Sequence, residues 1–391
     1  FKMRILHIGK YYPPFAGGIE NFLTDLVQAQ VAQNQQIAAL VHDHDIQWQR
    51  FFASVQAETP NNPLIYRVPS YGRLLYAPIS PQFLFWTNRV IKQYRPDILH
   101  FHLPNTSALW ALMLPAARRI PWVLHWHSDV VSNIDNRVAV AYQAYRPFEQ
   151  AMLRHAKAII ATSQPYLDSS VALQDWQQKS CVIPLGLAAQ RLPEPTQDAL
   201  RWAQQQWQPD LQRILHIGRL TYYKGQKLLI QALQDCPQTQ LLIIGKGELQ
   251  TELAELIQQL NLQSRVKLLG FCDNAQLQAL LSSCDVFCLP SLERTEAFGV
   301  VLMEAMRYAK PVIASQVEGS GMGWVVDDKK TGLLIKPNDI KSLSQSIQQL
   351  ADKNQRQQFG QAGYEKFVQQ FDIMQVSQQL IPLYTRIIQP Q

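Results

Sequence analysis

Short, continuously apolar runs alternate along this chain with stretches in which apolar positions recur every three or four residues. Continuous runs are typical of parallel strands buried on both faces, and the longer period is typical of amphipathic helices. Their alternation predicts doubly wound α/β domains. The runs predict strands over 37–41, 98–101, 122–126, 158–161 and 181–184 in the first half, and over 241–244, 266–269, 286–289, 312–314 and 333–335 in the second. Helical patterns of the second half lie near 248–260, 275–282, 299–308 and 340–351.

The first apolar run has a second copy near the middle of the chain. Residues 4–10 are Arg-Ile-Leu-His-Ile-Gly-Lys, and residues 213–219 are Arg-Ile-Leu-His-Ile-Gly-Arg. In both copies a tyrosine-containing loop and a helical pattern follow, which indicates a strand, a turn and a helix. We therefore expect two Rossmann-like domains, 1–186 and 187–370, facing each other across a cleft. A C-terminal helix over 371–391 is expected to pack back on the first domain.

Composition narrows the class of protein. With 391 residues, 47% hydrophobic and 17% charged, the chain can form two packed cores and has no disordered or fibrous bias. A net charge of +6 without long basic runs does not indicate nucleic-acid binding. Five cysteines without C-x-x-C spacing favour free thiols in a reducing compartment, and no apolar run is long enough to span a membrane. We expect a cytoplasmic protein whose membrane contact would be peripheral, at the inner face of the plasma membrane.

The loops that follow the two copies of the first strand suit phosphate groups. In doubly wound sheets, ligands bind beyond the carboxyl ends of the strands. Gly17 and Gly18 precede a helix predicted to start near Glu20 or Asn21, where backbone N–H groups could approach an anion; a tight turn would use the same glycines.

The corresponding loop of the second half contains Arg219 and Lys224. A guanidinium can fork to two phosphate oxygens and an ammonium adds a point charge, so these two residues suit a diphosphate. No metal ion would then be needed. The alternative is a pair of solvated surface cations.

Two carboxylates, Glu296 and Glu304, lie eight positions apart across a predicted loop-to-helix junction. At ~1.5 Å per helical residue their separation is about 12 Å, beyond the ~9.5 Å upper limit of the carboxylate pairs of glycoside hydrolases. They suit two hydroxyl-binding groups along an extended ligand. The backbone N–H groups at the helix start would face a phosphate, and they belong to Phe298, Gly299 and Val300.

Histidines occur in pairs at the ends of two predicted strands. Period-two alternation places His100 and His102 on one face of their strand, and His125 and His127 on one face of theirs. Three hypotheses stay open. The four histidines could form a metal nest, as in a metal-dependent hydrolase; they could belong to the core or to helix caps; or His127 could contact a substrate.

Three further features carry less weight. Asp43 and Asp45 have a D-x-D spacing that can chelate Mn²⁺ or Mg²⁺ under a nucleotide diphosphate, but a solvated loop is the simpler interpretation. The segment 245–250 lacks the third glycine of a dinucleotide fingerprint, which argues against a dehydrogenase. The aromatic stretch 71–95 could either dock on anionic lipid or cap the first sheet as a helix.

In their order along the chain, these motifs resemble the retaining nucleotide-sugar glycosyltransferases of family 4, which have the two-Rossmann GT-B architecture. The resemblance covers essentially the whole chain. It is carried by Gly17-Gly18, His127-Ser-Asp129, Val182-Ile-Pro-Leu-Gly186, the segment 218–225, Gly245-Lys-Gly247-Glu248 and the segment 296–304. Leu185 replaces the asparagine usual in the Pro-Asn-Gly turn, and the segment 319–323 replaces the usual Gly-Ile-Pro-Glu.

The resemblance implies a role for each matching residue. Arg219 and Lys224 would hold the donor diphosphate, Glu304 the ribose hydroxyls, and Glu296 hydroxyls of the transferred sugar. His127 would lie against that sugar, close to the reacting bond. These roles make His127, Glu296, Arg219 and Lys224 the predicted catalytic residues. Further donor contacts would come from Gly18, Gly247, Phe271, Phe298, Gly299 and Val300, and acceptor-side contacts from Gly17 and Gly18.

The segment 219–225 is similar to that of members that use GDP-mannose in bacterial surface-polysaccharide assembly. The function implied is metal-independent, retaining, front-face transfer of a hexose from a nucleotide diphosphate sugar, first of all GDP-mannose, to a saccharide or lipid-linked saccharide. One alternative is a metal-dependent hydrolase that uses the four histidines His100, His102, His125 and His127. The other is a non-catalytic nucleotide-sugar-binding protein.

Overall fold

The computed structural model of the protein describes residues 2–15, 17–46, 57, 61–74, 77–130 and 136–389. Contacts divide the chain into two compact units. The first comprises Phe1–Leu187 with Ile373–Gln391, and the second comprises Ala188–Asp372. Each unit has its own parallel sheet with flanking helices, which confirms the prediction of two Rossmann-like α/β domains.

The first unit is built on a parallel sheet. Its strands are β1 (Arg4–Ile8), β2 (Gln36–Ile46), β3 (Leu64–Ser70), β6 (Ile98–Leu103), β7 (Trp122–Trp126), β8 (Ala158–Ala161) and β9 (Ser180–Val182), with a separate antiparallel pair of β4 (Arg73–Leu74) and β5 (Ala77–Pro78). The order in the sheet is β3-β2-β1-β6-β7-β8-β9. Because the strand order reverses at β1, a ligand crevice is expected beyond the carboxyl ends of β1 and β6.

Helices cover this sheet. They are α1 (Gly18–Ala32), α2 (Phe83–Tyr94), α3 (Pro115–Arg118), α4 (Asn136–His155), α5 (Gln164–Ser169) and, from the C-terminal end of the chain, α14 (Ile373–Ile388). Helix α14 packs against α1. The predicted start of α1 near Glu20 or Asn21 is wrong, because the helix already begins at Gly18, directly after its N-cap Gly17.

Strand β3 was not among the predicted strands. Arg67 and Pro69 interrupt its apolar pattern, and both are tolerated because β3 is an edge strand of the sheet. The second half of the aromatic stretch 71–95 forms α2, and its side chains Phe83 and Trp86 are buried in the unit's own core. These two residues therefore cap the sheet, whereas Phe85 is 58% exposed. Leu75, in the same stretch, lies outside the described residues.

The second unit repeats the plan. Its strands are β10 (Gln212–Ile217), β11 (Thr239–Ile244), β12 (Val266–Gly270), β13 (Val286–Leu289), β14 (Val312–Ser315) and β15 (Gly332–Ile335), in the order β12-β11-β10-β13-β14-β15. Its helices are α6 (Gln197–Gln206), α7 (Gln226–Ala232), α8 (Gln250–Gln259), α9 (Asn274–Ser283), α10 (Val300–Arg307), α11 (Met322–Val325), α12 (Ile340–Gln349) and α13 (Lys353–Lys366). The order reverses at β10, the second copy of the repeated segment. In the part of the chain that the structure describes, no helix combines the length and apolar character needed to cross a membrane.

Candidate active site

The loop after β10 carries Arg219 and Lys224 and packs tightly against the loop after β13. Gly225, at the start of α7, has a φ of 76°. A Cβ atom there would lie 2.0 Å from the carbonyl oxygen of Pro290. Only glycine meets both conditions, so this close approach fixes where the preceding Lys224 can lie.

Lys224 and Glu296 are brought together by these two loops. Nζ of Lys224 contacts Oε2 of Glu296, and both side chains are 13% exposed. The hydroxyl of Ser291 donates to the same carboxylate oxygen at 3.4 Å. Nζ also lies 5.5 Å from the ring centre of Tyr223. A largely desolvated pair of this kind interacts more strongly than a surface ion pair.

Arg219 is far more accessible than Lys224. Its Nη2 lies 3.3 Å from Oε2 of Glu248, and the two side chains are 72% and 50% exposed. A hydrogen bond from Thr221, the first of several causes, lowers the pKa of Glu248. Since exposed ion pairs stabilise a protein little, the guanidinium of Arg219 can exchange this partner for an anionic ligand at small cost.

His216, in β10, anchors the backbone at Arg219. Its Nδ1 donates to the carbonyl oxygen of Cys288 at 2.9 Å, and its Nε2 accepts from the amide of Gln226 at 3.1 Å. The same amide nitrogen donates to the carbonyl oxygen of Arg219 at 2.9 Å. Burial lowers the pKa of His216 to about 4, so the ring is neutral at pH 7. This histidine lies in the repeated segment, but no motif indicated its role.

Gly247 and Phe271 follow the neighbouring strands β11 and β12. A Cβ atom on Gly247 would lie 2.2 Å from the carbonyl oxygen of Leu220, so glycine is needed there for packing alone. Phe271 is 74% exposed, with Nζ of Lys246 5.9 Å from its ring centre. Its ring has an open face, which suits stacking against a flat ligand group.

The segment after Glu296 leads into α10. Phe298 is buried, with its ring near those of Trp324 and Phe371. Gly299 is the N-cap with a φ of 83°, and Val300 is the first helical residue. The first N–H groups of any helix lack intrahelical acceptors, so this end can receive an anion.

Glu304 lies within α10, one turn after its start. Burial raises the pKa of its carboxyl group to about 7, and the charge of Arg191 counters part of that rise. A carboxyl group with this pKa is divided between its neutral and charged forms at neutral pH. The protonation of Glu304 is therefore sensitive to any ligand that hydrogen-bonds to it.

In the first unit, Gly17 and Gly18 form the N-terminus of α1 beside a carboxylate of the protein. A Cβ atom on Gly17 would lie 2.1 Å from Oε2 of Glu20, so the acidic side chain folds back to this end of the helix. Burial raises the pKa of Glu20, whereas its own backbone N–H, Lys10 and Arg73 lower it. Glu20 thus occupies space beside the N-terminus of α1. This is the position that was predicted to bind phosphate groups.

Five histidines meet in the first unit, at the carboxyl ends of β1, β6 and β7. We call His7, His100, His102, His125 and His127 the histidine cluster. Strand pairing explains the assembly, because His7 lies opposite His100, and His102 lies opposite His125. All five rings are buried. The four predicted histidines do come together, and His7 joins them although it was not among the predicted site residues.

Hydrogen bonds join the cluster into two chains. One chain leads from Oε1 of Gln30 to Nε2 of His7 (2.7 Å), from Nδ1 of His7 to Nε2 of His102 (3.0 Å), and from Nδ1 of His102 to Nε2 of His127 (3.0 Å). The other leads from the hydroxyl of Tyr384 to Nδ1 of His100 (2.6 Å) and from Nε2 of His100 to Nδ1 of His125 (3.2 Å). The amide nitrogen of Gln30 donates to Tyr384 at 3.1 Å and links the two chains.

Burial keeps the histidine cluster neutral. Desolvation lowers the pKa of His7 to about 4 and that of His127 to about 3, and it lowers those of His100, His102 and His125 well below the ordinary value. Ring nitrogens of His102, His125 and His127 lie within 4.8 Å of one another, as do those of His7, His100 and His102. Such spacing is compatible with a metal ion, as one of the sequence hypotheses required.

Asp129 and Asp43 are held by other groups of the protein. Oδ1 of Asp129 accepts hydrogen bonds from Nε1 of Trp126 at 2.8 Å and from Oγ of Ser170 at 2.6 Å, which holds the loop after β7. The interpretation of Asp43 and Asp45 as a solvated loop is wrong, because both lie within β2, where Asp43 is buried and only Asp45 is exposed. His44 lies between the two carboxylates, 3.8 Å from Asp43 and 3.6 Å from Asp45.

A cavity of about 350 Å³ opens in the first unit near this strand. It is lined by Tyr11, His44, Ser70, Gly72 and Arg73. The guanidinium of Arg73 lies 5.1 Å from the ring centre of Tyr11. A cation stacked on an aromatic ring and neighbouring polar groups can bind hydroxyl-rich or anionic ligands.

Comparison with known proteins identifies the class. Residues 17–186 match the family described as Glycosyl transferase 4-like domain, and residues 201–366 match Glycosyl transferases group 1. The chain is a glycosyltransferase. Its first half has a 4-like domain and its second half a group 1 domain, in agreement with the resemblance that the order of its motifs indicated. These findings give no support to the metal-dependent hydrolase hypothesis.

Relatives of known name support this assignment over nearly the full length. The chain is 29% identical to O-antigen chain mannosyltransferase C of Escherichia coli, with 99% of each chain covered. It is also 29% identical to D-rhamnosyltransferase WbpZ of Pseudomonas aeruginosa, over 90% of this chain and 88% of that one. The structure resembles sucrose-phosphate synthase of Thermosynechococcus elongatus with a TM-score of 0.77 and 25% identity, covering 98% of this chain and 99% of the other.

Proposed function

We propose that this glycosyltransferase moves a hexose from a nucleotide diphosphate sugar to a saccharide or lipid-linked saccharide, with retention at the anomeric carbon and without a metal ion. The contact between Lys224 and Glu296 supports this proposal most. It combines a cation and a carboxylate just ahead of the start of α10. The cation and the helix N–H groups suit phosphates, and the carboxylate suits sugar hydroxyls.

The proposed reaction is a front-face displacement. The bond from the anomeric carbon to the phosphate oxygen breaks, and the acceptor hydroxyl forms its new bond on the same face of the sugar. The acceptor proton passes to an oxygen of the leaving diphosphate. Arg219, Lys224 and the N–H groups from Phe298 to Val300 would stabilise the negative charge that develops on this group, in the manner of a preorganised oxyanion site.

GDP-mannose is the donor we propose first. The similarity to an E. coli protein named for mannose transfer favours mannose, while equal identity to a rhamnosyltransferase keeps the choice open to test. Thermal unfolding with GDP-mannose, UDP-glucose and ADP-glucose compares the candidates directly. We expect the largest stabilisation from GDP-mannose, and a larger shift with another nucleotide sugar would replace it as the donor.

The acceptor is proposed to bind in the first unit, in the cavity lined by Tyr11 and Arg73. The charge of Arg73 acts on Glu20, in the first turn of α1. Replacing Arg73 with leucine should raise KM for the acceptor and leave the affinity for the donor unchanged. The matched control is Arg118→Leu, on α3 of the same unit. Equal effects of both variants would remove the cavity from the proposal.

Catalysis as a whole is tested by incubating the protein with GDP-mannose and lipid-linked or free oligosaccharides and recording the anomeric configuration of the product by NMR. Retention, and transfer that persists in EDTA, is the expected result. Inversion would overturn the front-face mechanism. Complete loss in EDTA, with recovery on adding Mn²⁺ or Mg²⁺, would overturn metal independence and direct attention to Asp43 and Asp45.

Peripheral membrane contact is proposed for the exposed side of α2. Phe85 is exposed there, and Arg89 and Lys92 can face anionic headgroups. Flotation with vesicles of phosphatidylglycerol and phosphatidylcholine tests the proposal. Binding should require the anionic lipid and weaken in Phe85→Ser, and absence of binding to both vesicle types would remove it.

A further inference from the structure

The two hydrogen-bonded chains of the histidine cluster determine where each proton lies. A neutral imidazole has one N–H donor and one bare nitrogen acceptor, so a proton fixed at one end of a chain fixes every ring along it. All five rings are neutral because they are buried. The direction of the hydrogen bonds along each chain therefore depends on the group at its end.

Tyr384 sets it. Its hydroxyl lies 2.6 Å from Nδ1 of His100, a short distance that suits an O–H donor, and a phenol donates more readily than it accepts. Since Tyr384 has a single proton, its contact with Gln30 must be one in which the amide NH₂ donates. The amide oxygen of Gln30 then faces His7 and can only accept.

The proton positions of the first chain follow from that oxygen. His7 must donate from Nε2 to Gln30, so its Nδ1 is bare and accepts from Nε2–H of His102. The Nδ1 of His102 is then bare and accepts from Nε2–H of His127. His127 is left with a bare Nδ1. This atom is buried and has no hydrogen-bond partner among the described residues.

We propose that Gln30, His7 and His102, directed by Tyr384, are positioning residues that hold His127 in the Nε2–H tautomer, so that its Nδ1 accepts a hydrogen bond from a substrate hydroxyl. The proposal rests on the proposed function for that hydroxyl. A buried acceptor without a donor destabilises the folded protein. A hydroxyl donor that reaches His127 removes this destabilisation, whereas the other tautomer would present an N–H group that cannot accept.

Histidine-selective ¹⁵N labelling and long-range ¹H–¹⁵N correlation spectra test the tautomer on the full-length protein without substrate. The signal of His127 is assigned from its loss in His127→Gln. We expect a bare Nδ1 and a protonated Nε2 in the unchanged protein. In Tyr384→Phe and Gln30→Leu the amide no longer directs the chain, so His127 should show both tautomers or the reverse one.

Helix α14 and α1 offer matched controls outside the cluster. Ser377 of α14 donates from Oγ to Oε1 of Gln33, the C-cap residue of α1, at 2.7 Å. Ser377→Ala and Gln33→Leu should leave the signals of His127 unchanged. Thermal unfolding of each variant shows which of them fold, and Tyr384→Phe, which removes one oxygen atom, carries the test if Gln30→Leu does not.

Three outcomes would overturn the proposal. They are protonation of Nδ1 of His127 in the unchanged protein, an unaltered tautomer in both Tyr384→Phe and Gln30→Leu, and a stoichiometric metal ion on the cluster found by elemental analysis.

Transfer from GDP-mannose should fall about ten-fold in Tyr384→Phe, roughly the effect of one hydrogen bond, with GDP affinity unchanged. If the unchanged protein transfers no hexose, the proposed function fails, while the spectra still decide the tautomer.

Discussion

Nζ of Lys224 contacts the carboxylate of Glu296, although the two residues lie 72 positions apart and on loops that follow different strands. The two charges neutralise each other in the structure. A diphosphate that binds Lys224 would displace the carboxylate of Glu296, which could then accept hydrogen bonds from the hydroxyls of a sugar. The pair would thereby link arrival of the diphosphate to positioning of the sugar.

Replacing Lys224 with methionine should reduce turnover by about 10²-fold or more, the scale of losing one oxyanion donor. Steady-state rates with saturating donor measure this loss. Lys227→Met is the control. Lys227, on α7, also forms an ion pair with a glutamate, Glu252 on α8, but both of these side chains are exposed. Rates near that of the unchanged protein in Lys224→Met would contradict the assignment.

Replacing Glu296 with glutamine should affect nucleotide binding and transfer in opposite directions. The freed ammonium of Lys224 should bind GDP as tightly as before or more tightly, because no carboxylate competes for it. Transfer should fall, because the sugar loses a charged hydrogen-bond acceptor. Titration calorimetry with GDP and initial rates with GDP-mannose measure the two effects, and a parallel loss of both would argue against the exchange of partners.

The protonation of Glu304 predicts a pH dependence of donor binding. Burial raises its pKa to about 7, so the carboxylate that can accept two ribose hydroxyls forms as the pH rises through that value. Affinity for GDP-mannose should therefore increase from about one pH unit below this pKa to about one above it. The diphosphate of a nucleotide sugar has no proton to lose in this range. Glu304→Gln should flatten the profile, and an unchanged profile in that variant would assign the pH dependence to another group.

The neutral histidine cluster predicts acid sensitivity of the first unit. The pKa of His7 is about 4 in the folded protein and about 6.5 in an unfolded chain. Between these values the unfolded state binds more protons, so the free energy of unfolding falls as the pH drops, by about 1.4 kcal/mol per pH unit for each such histidine.

Hydrogen–deuterium exchange in β6 and β7, compared at about pH 7.5 and about pH 5.5, measures this effect within the first unit. Protection should fall at the lower pH, and by less in His7→Met than in the unchanged protein once each is referred to its own value at the higher pH. His44→Gln serves as control, because His44 is only partly buried. Protection that does not depend on pH would contradict the prediction.

Gly225→Ala should disturb the second unit. The new Cβ would meet the carbonyl oxygen of Pro290 at 2.0 Å, at a φ of 76° that disfavours side chains. We expect a loss of about 1–3 kcal/mol in the free energy of unfolding and weaker GDP binding, because Lys224 shifts with the loop. Gly270→Ala is the control: its φ is 68°, but no atom lies within 4 Å of the added Cβ. Equal losses in both variants would mean that the contact with Pro290 contributes little.

Apolar runs and the repeated segment predicted both sheets, because buried parallel strands need continuous apolar sequence whatever their neighbours. The strand β3 was not predicted, since Arg67 and Pro69 break that pattern at the end of the sheet order. Alternation placed His100 and His102 on one face, but only strand pairing shows that His125 and His7 lie next to them. Tyr384, 354 positions from Gln30, has no local signal that could have joined it to this cluster.

The duplicated strand carries opposite proton arrangements in its two copies. His7 faces an amide oxygen of Gln30 through Nε2, whereas His216 receives an amide N–H from Gln226 at the same ring atom. A glutamine on the following helix is used in both cases, but Gln30 lies in the last turn of α1 and Gln226 is the first residue of α7. The repeated strand sequence therefore carries opposite imidazole tautomers in the two units, because each following helix presents a different end of a glutamine amide to the ring. The position of the proton on a buried histidine is thus determined by the group that meets its ring, and not by the strand that carries it.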